Sequence, residues 1–456
     1  MFSAIILAAG TGTRMKSDKA KVVHEVCFKP LVQWVHDACQ TAGADNIVTV
    51  VGHNADQVKA CLGKDKTYAL QDQQLGTGHA VISAMPQIKQ SGCVVIMAGD
   101  APMITPQTIQ NVVKYHLNNR LSATILSAEM ETPFGYGRIV RDENDNVRAI
   151  VEEKEATAAQ KLITEINSGL YCFDASLLNA ALSEISNENA GGEYYLTDTM
   201  EILLKNGYNI GAYKIDDAEE TMGINDRKHL AHVNNMARQI ILDKHMENGV
   251  TIIDPQNTYI GADVIIGADT IIYPGCVIQG SSDIAGDCTI GQNCNLNNVK
   301  IGTGTSIISS VAQDAVIGEN ASVGPFAYLR PKSVVGNNTK IGDFVEIKNA
   351  NIGDGTKISH LTYIGDSDVG QGVNFGCGTV TVNYDSKKKY RTVIGDNAFI
   401  GCNTNLVAPV RIGDGGYTAA GSTITEDVPA NALAIARSQQ IVKENWRTKK
   451  FGSDQK

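Results

Sequence analysis

The chain has 456 residues, of which 43% are hydrophobic and 19% are charged, and its formal net charge is −10. This length favours two or three domains with cores of ordinary size. The acidic balance argues against general nucleic-acid binding, because the phosphate backbone attracts basic surfaces. No apolar run reaches the roughly 18 residues of a transmembrane helix, and the first ten residues resemble a strand rather than a secretion signal. We therefore expect a cytoplasmic protein without membrane insertion.

The ten cysteines contain no CxxC pair, and the sequence places no cluster of histidines around any of them. Their spacing therefore indicates no metal-binding cluster. In an intracellular chain such thiols are expected to be reduced and mostly buried.

Residues 1 to about 225 alternate short apolar strands with helical stretches. Strands are predicted at 3–8, 46–52 and 93–98, and helices at 31–42 and 54–62. This alternation predicts an α/β domain with a mostly parallel sheet. Residues 226–248 carry apolar side chains at helical spacing and predict a helical connector, with Asn225 or Asp226 as its cap.

A string of small residues directly follows the first predicted strand. It runs from residue 7 to residue 15 and contains Gly10, Gly12 and Arg14. Small residues let the backbone approach a ligand, their N–H groups can converge on an anion, and Arg14 adds fixed positive charge. Lys21 supplies a second cation one loop later. The string is neither a complete GxGxxG nor a P-loop, so a plain glycine-rich turn is the alternative interpretation.

Asp100 follows the predicted strand 93–98 after Gly99. Open α/β sheets bind ligands outside the carboxyl ends of their strands, which makes this carboxylate a candidate site residue. A carboxylate that only caps a turn is the alternative.

The small-residue string resembles the fingerprint of the sugar-nucleotide pyrophosphorylases, the sugar-1-phosphate nucleotidyltransferases. The resemblance implies a Rossmann-like nucleotidyltransferase domain in which a sugar-1-phosphate oxygen attacks the α-phosphorus of a nucleoside triphosphate and pyrophosphate leaves. It implies that Arg14 and Lys21 are catalytic, and that Asp100 and Asn225 hold Mg²⁺, which prefers oxygen ligands. Gln71 and the segment 74–78 resemble the loop that reads the nucleobase. The residues implied for binding UTP and UDP-N-acetylglucosamine are Leu7, Ala8, Ala9, Gly10, Lys21, Gln71, Gly76, Thr77, Ala98, Gly99, Asp100, Gly137, Glu152, Asn167 and Asn225.

From Ile260 onward, one branched aliphatic residue recurs at every sixth position. The series runs from Ile260 to Leu296, from Ile317 to Ile347, from Ile352 to Ile364 and from Ile394 to Ile412. A period of six fits neither an amphipathic helix nor an alternating strand. It predicts a parallel β-helix of hexapeptides from about residue 250 to 436, whose coils stack about 4.8 Å apart. The basic tail at 438–456 is expected to be solvated.

His360 is the one histidine that follows residue 250, in the predicted β-helix. Arg330 and Lys348 each follow a core residue and lie three hexapeptides, or one coil, apart. Stacked cations repel each other, so a bound anion is the natural compensation. His360 and Tyr363 are predicted to reach the edge of the same face. Without this context, a lone histidine would be interpreted as structural.

The six-residue series is interrupted between Phe375 and Ile394. The interruption includes a polar, basic segment at 383–391, and loops that leave a rigid scaffold often carry binding residues. A solvated excursion without a ligand is the alternative.

The two halves together resemble a bacterial family of bifunctional enzymes that acetylate glucosamine 1-phosphate and then uridylylate the product. The resemblance implies a nucleotidyltransferase domain at 1–225, a helical linker at 226–248, and a left-handed β-helix with a tail at 249–456. It implies His360 as the catalytic base, acetyl-CoA and UTP as co-substrates, and a homotrimer whose acetyl sites are shared between subunits. The residues implied for glucosamine 1-phosphate are Arg330, Lys348, Tyr363, Asn374, Asn383, Tyr384 and Lys389. Those implied for acetyl-CoA are Cys377, Asn383, Tyr384, Cys402, Ala420 and Arg437.

Two other hypotheses compete with this one. The first is a monofunctional pyrophosphorylase whose β-helix only oligomerises or regulates, and the cations and histidine of the β-helix argue against it. The second is a scaffold protein that lost both activities, and the intact Arg14, Lys21 and Asp100 argue against it.

Overall fold

The computed structural model describes residues 2–189 and 191–452. The chain forms two compact units, one ending at Arg238 and the other beginning at Gln239. None of the described helices combines the length and the apolar character that a membrane crossing requires. The α-helices are Leu31–Thr41, Ala55–Leu62, Thr77–Ala84, Pro106–Asn118, Ala175–Leu182, Asp198–Lys205, Arg227–Glu247 and Trp446–Phe451. The 3₁₀-helices are Thr13–Met15, Lys21–Val23, Met85–Gln87, Gln160–Leu162, Ala218–Thr221 and Pro255–Asn257.

The first unit is built around one mixed sheet. Most strands of its main path are parallel, and Glu165–Asp174 runs antiparallel to both of its neighbours. The order of the main path is Ile210–Ile215, Ala123–Glu129, Glu165–Asp174, Cys93–Ala98, Phe2–Ala8, Ala44–Val51 and Thr67–Leu70. Gly137–Arg141 pairs with both Glu165–Asp174 and Val147–Val151. A separate small hairpin joins Glu25–Val26 to Lys29–Pro30.

Helices cover both faces of this sheet, which explains why its central strands are apolar at consecutive positions. Ile5 packs in one hydrophobic core and Ile6 packs in the other, and neither side chain is exposed. Successive side chains of a strand point to opposite faces. A strand buried on both sides therefore shows no alternation of polar and apolar residues.

The connector helix Arg227–Glu247 is capped by Asp226 and not by Asn225. The Asp226 carboxylate accepts hydrogen bonds from the backbone N–H groups of Lys228 and His229, at 2.8 and 2.9 Å. Side-chain oxygens at this position satisfy amides that have no partner within the helix. Asn225 is consequently available to the site described below.

The second unit is a left-handed parallel β-helix with three sheets, one for each side of a triangular prism. The first sheet contains Thr251–Ile252, Ile271–Ile272, Thr289–Ile290, Ser306–Ile307, Ser322–Val323, Lys340–Asp343, Lys357–His360, Asn374–Phe375, Phe399–Ile400, Tyr417–Thr418 and Leu433–Ala434. The second contains Tyr259–Ile260, Val277–Gln279, Asn295–Asn297, Val311–Gln313, Tyr328–Leu329, Glu346–Lys348, Tyr363–Gly365, Val380–Val382, Asn405–Val407 and Thr423–Ile424. The third contains Ile265–Ile266, Asp283–Ile284, Lys300–Ile301, Val316–Ile317, Val334–Val335, Asn351–Ile352, Ser367–Val369, Thr392–Ile394 and Val410–Ile412.

The aliphatic residues of the six-residue series are buried along the prism axis, as the sequence predicts. The apparent gap in the series between Leu296 and Ile317 is filled by Ile301, Ile307 and Ala312, which are also buried. Some of these steps are five residues long instead of six, which hides the repeat from a fixed period. The strands nevertheless keep their pairing across the short steps.

The interruption of the β-helix is shorter than the sequence suggests. Thr381 is buried at a core position of the strand Val380–Val382, so the coil continues well beyond Phe375. A threonine inside the prism breaks the aliphatic pattern without breaking the strand. The excursion itself begins after Val382, and it includes an antiparallel bridge between Tyr384 and Lys389.

Most cysteines are buried and none forms a disulfide in the described residues. The spacing of the cysteines does not reveal one grouping that the fold creates. Cys93, His116 and Cys172 are far apart in sequence, but the sheet and one helix bring their potential ligand atoms within 4.8 Å of one another. In the tail, residues 438–452 are exposed as expected, and residues 453–456 lie outside the described part of the chain.

Candidate active sites

The first candidate site lies where two central strands of the first unit end. Phe2–Ala8 and Cys93–Ala98 are parallel neighbours, with Leu7 opposite Ala98. The N–H of Gly99 donates to the Leu7 carbonyl at 2.9 Å. This pairing brings the glycine-rich string and Asp100 to the same edge of the sheet.

Four polar side chains meet at this edge. Arg14 Nη2 and Lys21 Nζ both donate to Asn225 Oδ1, at 2.9 and 3.1 Å, and Lys21 also forms an ion pair with Asp100. The N–H of Ile224 donates to the Asp100 carbonyl at 3.0 Å, which holds the segment before the connector helix against the strand end. Residues distant in sequence are thereby brought together as the resemblance implies.

Asp100 and Asn225 form a donor set that fits Mg²⁺. Oδ2 of Asp100 and Oδ1 of Asn225 both contact Nζ of Lys21, so a positive charge already lies at the point on which these two oxygens converge. One carboxylate and one amide oxygen, with phosphate oxygens and water, are ligands that a hard divalent ion prefers.

A hydrogen bond joins the loop that resembles a nucleobase-reading loop to the glycine-rich string. Gln74 Nε2 donates to the Ala9 carbonyl at 2.6 Å. Gln71 is buried and donates to the Gly76 carbonyl at 3.0 Å, while Thr77 Oγ1 accepts from a backbone N–H at 3.1 Å. Gly76 has a φ of +108°, a conformation that strains any residue with a side chain.

These loops border an open cleft of about 380 Å³. Among the residues that line it, the resemblance implies Ala8, Ala9 and Gly10 for nucleotide binding, and Gln74 belongs to the segment that resembles the nucleobase-reading loop. Its lining is Ala8, Ala9, Gly10, Thr11, Ser17, Asp18, Ala20, Gly52, His53, Asn54 and Gln74.

Gly137, Glu152 and Asn167, which the resemblance implies for binding UDP-N-acetylglucosamine, lie close together on neighbouring parts of the same sheet. Asn167 is opposite Gly137, and the pairing of Gly137–Arg141 with Val147–Val151 places Glu152 on the other side of Gly137. Asn167 donates to the Tyr171 hydroxyl at 2.7 Å. Burial raises the pKa of Glu152, because the ionised carboxylate loses water.

The second candidate site lies on the β-helix, and its first component is a group of cations. Tyr328–Leu329 pairs with Glu346–Lys348 with Leu329 opposite Ile347, so Arg330 and Lys348 stack on successive coils as predicted. The pKa of Lys348 is lowered by its interaction with Lys389, by burial and by the charge of Arg330. Glu346 balances Arg330 through a 2.8 Å ion pair. The remaining positive charge favours an anionic ligand.

A buried carboxylate that the sequence analysis did not single out supports these cations. Asp366 accepts hydrogen bonds from Asn349 and Asn383, and it lies 3.9 Å from Lys348. Burial raises the pKa of Asp366, but the two hydrogen bonds lower it by more than burial raises it. The side chain is therefore ionised at neutral pH. The sequence does contain a sign of this contact: Asn349, Asp366 and Asn383 follow each other at intervals of 17 residues, close to the length of one coil. Asn383 also donates to the Tyr363 hydroxyl, at 3.5 Å.

His360 is paired with Asp343, a second carboxylate that the sequence analysis missed. The distance from His360 Nδ1 to Asp343 Oδ1 is 2.6 Å, and the imidazole is 58% exposed. This hydrogen bond lowers the pKa of Asp343, so the carboxylate is ionised and can only accept. Nδ1 therefore carries the proton, and Nε2 of the neutral ring is left as a base.

A column of residues continues from His360 along one corner of the prism. Ile358 is opposite Phe375, which is opposite Ile400, so the same register places His360, Cys377 and Cys402 on successive coils. Further along the column, the Cys402 carbonyl accepts from Gly421 N–H at 2.8 Å. Arg437 donates to the Ala420 carbonyl at 2.9 Å. The four residues implied for acetyl-CoA alone thus form one continuous column.

Other implied residues are less closely grouped. Asn374 pairs with Lys357 on the face that carries His360, and not on the face that carries Lys348. Tyr384 is exposed, and its hydroxyl donates to the Ser386 carbonyl within its own loop at 2.6 Å. Within the described residues, no hydrogen bond or ion pair joins His360 to Arg330 or Lys348.

Comparisons with known proteins agree with this two-part organisation. The nucleotidyl transferase family model matches residues 3–221, and the model of the bacterial transferase hexapeptide, with six repeats, matches residues 314–349 and 391–426.

Curated relatives match the chain over almost its whole length. The bifunctional protein GlmU of Acetivibrio thermocellus is 54% identical over 98% of this chain and 97% of its own. That of Geobacillus sp. is 54% identical, covering 97% of both chains, and that of Staphylococcus haemolyticus is 50% identical, covering 98% and 99%. The chain therefore belongs to the family of bifunctional GlmU proteins.

Proposed function

We propose that this chain is a bifunctional enzyme of UDP-N-acetylglucosamine synthesis. Its β-helix transfers an acetyl group from acetyl-CoA to glucosamine 1-phosphate, and its first domain transfers uridylyl from UTP to the N-acetylated product, releasing pyrophosphate. The observation that carries the proposal is the His360–Asp343 pair, which lies at one end of the column leading to Arg437. A β-helix that only oligomerises has no need of such a pair.

In acetyl transfer, His360 acts as the general base. Nε2 removes a proton from the amine of glucosamine 1-phosphate as its nitrogen attacks the thioester carbonyl. A C–N bond forms, the C–S bond breaks, and the coenzyme A thiolate leaves and takes up a proton. Asp343 holds the ring in the required tautomer and stabilises the imidazolium that forms. A positioned base contributes about 10²–10⁴ in rate.

Arg330, Lys348 and Lys389 bind the phosphate of the amino sugar in this proposal. The lowered pKa of Lys348 reflects the mutual repulsion of these cations, which a phosphate would relieve. Asn383 and Tyr363 border the cations and supply hydrogen-bonding groups for the sugar. Asn374 and Tyr384 complete the proposed set.

Cys377, Cys402, Ala420 and Arg437 line the path of acetyl-CoA in this proposal, with Asn383 and Tyr384 at its side. The carbonyl of Cys377 accepts from the Asn403 N–H at 2.7 Å, and the carbonyls of Cys402 and Ala420 are engaged as described above.

In uridylyl transfer, positioning and charge neutralisation carry the reaction. The sugar-phosphate oxygen attacks the α-phosphorus of UTP in line with the departing pyrophosphate, and Arg14 and Lys21 stabilise the negative charge on the phosphates. Mg²⁺, which Asp100 and Asn225 would hold, supplies further neutralisation of the triphosphate when bound. Gln71, Gly76 and Thr77 position the base.

The same domain binds the sugar through Gly137, Glu152 and Asn167 in this proposal. The string Leu7 to Gly10, together with Ala98 and Gly99, lets backbone groups approach the nucleotide.

A homotrimer assembled through the β-helix, in the cytoplasm, completes the proposal. Phe326 and Phe344 stack at 5.4 Å between ring centroids along one corner of the prism, and Leu361 continues the row on the next coil. All three side chains are more than half exposed, which is unusual for large apolar residues in a row and favours a protein partner. A neighbouring subunit would also complete the acetyl site, whose histidine and cations do not touch within one chain.

The decisive experiment separates the two activities in the full-length protein. His360→Ala should abolish acetyl transfer and leave uridylyl transfer at the wild-type rate, whereas Arg14→Ala should do the reverse. Each reaction is followed by its own product, N-acetylglucosamine 1-phosphate in one and pyrophosphate in the other. Acetyl transfer at the normal rate by the His360 variant would refute the assignment of the base.

A further inference from the structure

A buried group of two thiols and one imidazole lies in the first unit, and none of its three members belongs to either candidate active site. Cys93 begins the strand Cys93–Ala98, Cys172 lies on Glu165–Asp174, and His116 lies in the last turn of Pro106–Asn118. Their exposed fractions are 7%, 0% and 3%. The two sulfur atoms and one ring nitrogen all lie within 4.8 Å of one another. Asp100 follows the opposite end of the strand that Cys93 begins.

The strand register opposes a disulfide between the two cysteines. In the antiparallel pair, Cys93 is opposite Asp174 and Cys172 is opposite Val95, so the cysteines are diagonal neighbours on one face. Diagonal neighbours are about 7–8 Å apart, which exceeds the spacing of about 4.4–6.8 Å between the Cα atoms of a disulfide. Two sulfurs on a tetrahedral ion, each about 2.3 Å from the metal, are about 3.8 Å apart. A small inward movement of the three side chains would reach that geometry.

The environment of His116 resembles that of a metal-binding histidine. Its Nδ1 atom lies 3.0 Å from Oγ1 of Thr124, which is fully buried. The Nδ1–H tautomer donates to this hydroxyl and leaves the Nε2 lone pair for a ligand. Histidines that bind metals commonly have their second nitrogen fixed in this way.

The surroundings of the two thiols favour a bound cation over bare thiolates. Cys93 and Cys172 belong to one apolar core, in which a thiolate has little water to stabilise it. A bound cation would supply the missing charge.

We propose that Cys93, Cys172 and His116 bind one thiophilic d¹⁰ cation, Zn²⁺ or Cu⁺, as a structural metal. Thiolate sulfur and imidazole nitrogen are the ligands that such soft or borderline ions prefer. The ion would tie the C-terminal turn of Pro106–Asn118 to two adjacent strands. This site is separate from the Mg²⁺ ligands by position and by chemistry, since the latter offer oxygen only.

Metal binding to the full-length protein tests the proposal directly. Protein stripped with a chelator under reducing conditions is titrated with Zn²⁺, with Cu⁺, and with Co²⁺ as a spectroscopic probe. We expect one equivalent of Zn²⁺ or Cu⁺ to bind tightly and Co²⁺ to give sulfur-to-cobalt charge-transfer absorption. Cys93→Ser, Cys172→Ser and His116→Gln should each weaken binding at least about tenfold.

Cys39→Ala is the matched control, because Cys39 is a fully buried thiol of the same core and donates a hydrogen bond to the sulfur of Met97. It should bind metal like the wild type. Circular dichroism identifies any variant that fails to fold, and Thr124→Val, which removes only the support of His116, then provides a milder test. Failure of the folded wild-type protein to bind either ion would overturn the proposal, as would equal binding by the folded Cys93 and Cys39 variants.

Discussion

Asp343→Asn separates the orientation of His360 from its presence. Asparagine keeps the size of the side chain, but its amide can donate a hydrogen bond as well as accept one. An amide nitrogen facing Nδ1 would favour the tautomer whose proton is on Nε2. That tautomer cannot accept a proton from the attacking amine, so a correctly placed ring would lose its function.

The exposure of the pair sets the size of the expected effect. The imidazole of His360 and the carboxylate of Asp343 are 58% and 37% exposed. Water can therefore replace part of the hydrogen bonding and charge stabilisation that the carboxylate gives the imidazole. We therefore expect Asp343→Asn to lose only part of the contribution of a general base, about tenfold out of about 10²–10⁴. His360→Ala should lose the whole contribution.

The assay is the rate of formation of N-acetylglucosamine 1-phosphate at saturating substrates, with uridylyl transfer measured on the same preparation. Asp314→Asn is the control, since Asp314 is an exposed carboxylate of an earlier coil whose partner is Asn298. Wild-type acetyl transfer by Asp343→Asn would refute the tautomer argument. An equal loss of both activities would instead indicate misfolding.

Three further predictions concern the phosphosugar, the nucleotide loop and the prism core. Lys389 and burial lower the pKa of Lys348, so this side chain loses its positive charge at a lower pH than an ordinary lysine. KM for glucosamine 1-phosphate should therefore rise at alkaline pH. Lys348→Arg should flatten this pH profile, because arginine stays charged, and an unchanged profile would implicate another group. Gln74→Leu removes the 2.6 Å hydrogen bond to the glycine-rich string and should raise KM for UTP about three- to tenfold without affecting acetyl transfer. Ile347→Ala, at a fully buried position, should lower the free energy of unfolding by about 2–5 kcal/mol in denaturant titrations. The exposed Val334→Ala should change it by less than about 0.5 kcal/mol, and equal effects would contradict the core assignment.

The first domain was largely predictable because its signals are local. The strand at residues 3–8 and the glycine-rich string are contiguous in sequence, and the rule that ligands bind at strand ends placed Asp100. The cluster of Cys93, His116 and Cys172 was not predictable. Its members come from three separate elements, and only the pairing of Glu165–Asp174 beside Cys93–Ala98 brings the two cysteines together.

In the β-helix, periodicity predicted the architecture and the stacking of Arg330 with Lys348, but it missed the carboxylates. Asp343 and Asp366 lie 17 residues from His360 and Asn383, one residue short of three full hexapeptides. A search at a period of 18 therefore passes over both partners. Shortened coils had to be recognised before these contacts could be inferred, and the sequence alone shows them only as a faltering of the aliphatic series.

The excursion after Val382 has a consequence for how such a protein can change over time. Ordinary coils return to the same corner after 16 to 18 residues, as between Asn295 and Val311, between Asn337 and Asp354 or between Asp396 and Asp414. The coil that contains the excursion takes 25 residues from Gln371 to Asp396, and the strands on either side of it remain paired. Extra chain length is thus absorbed at one corner without disturbing the rungs above and below. Insertions or deletions there could remodel which small molecule is recognised while the scaffold stays the same.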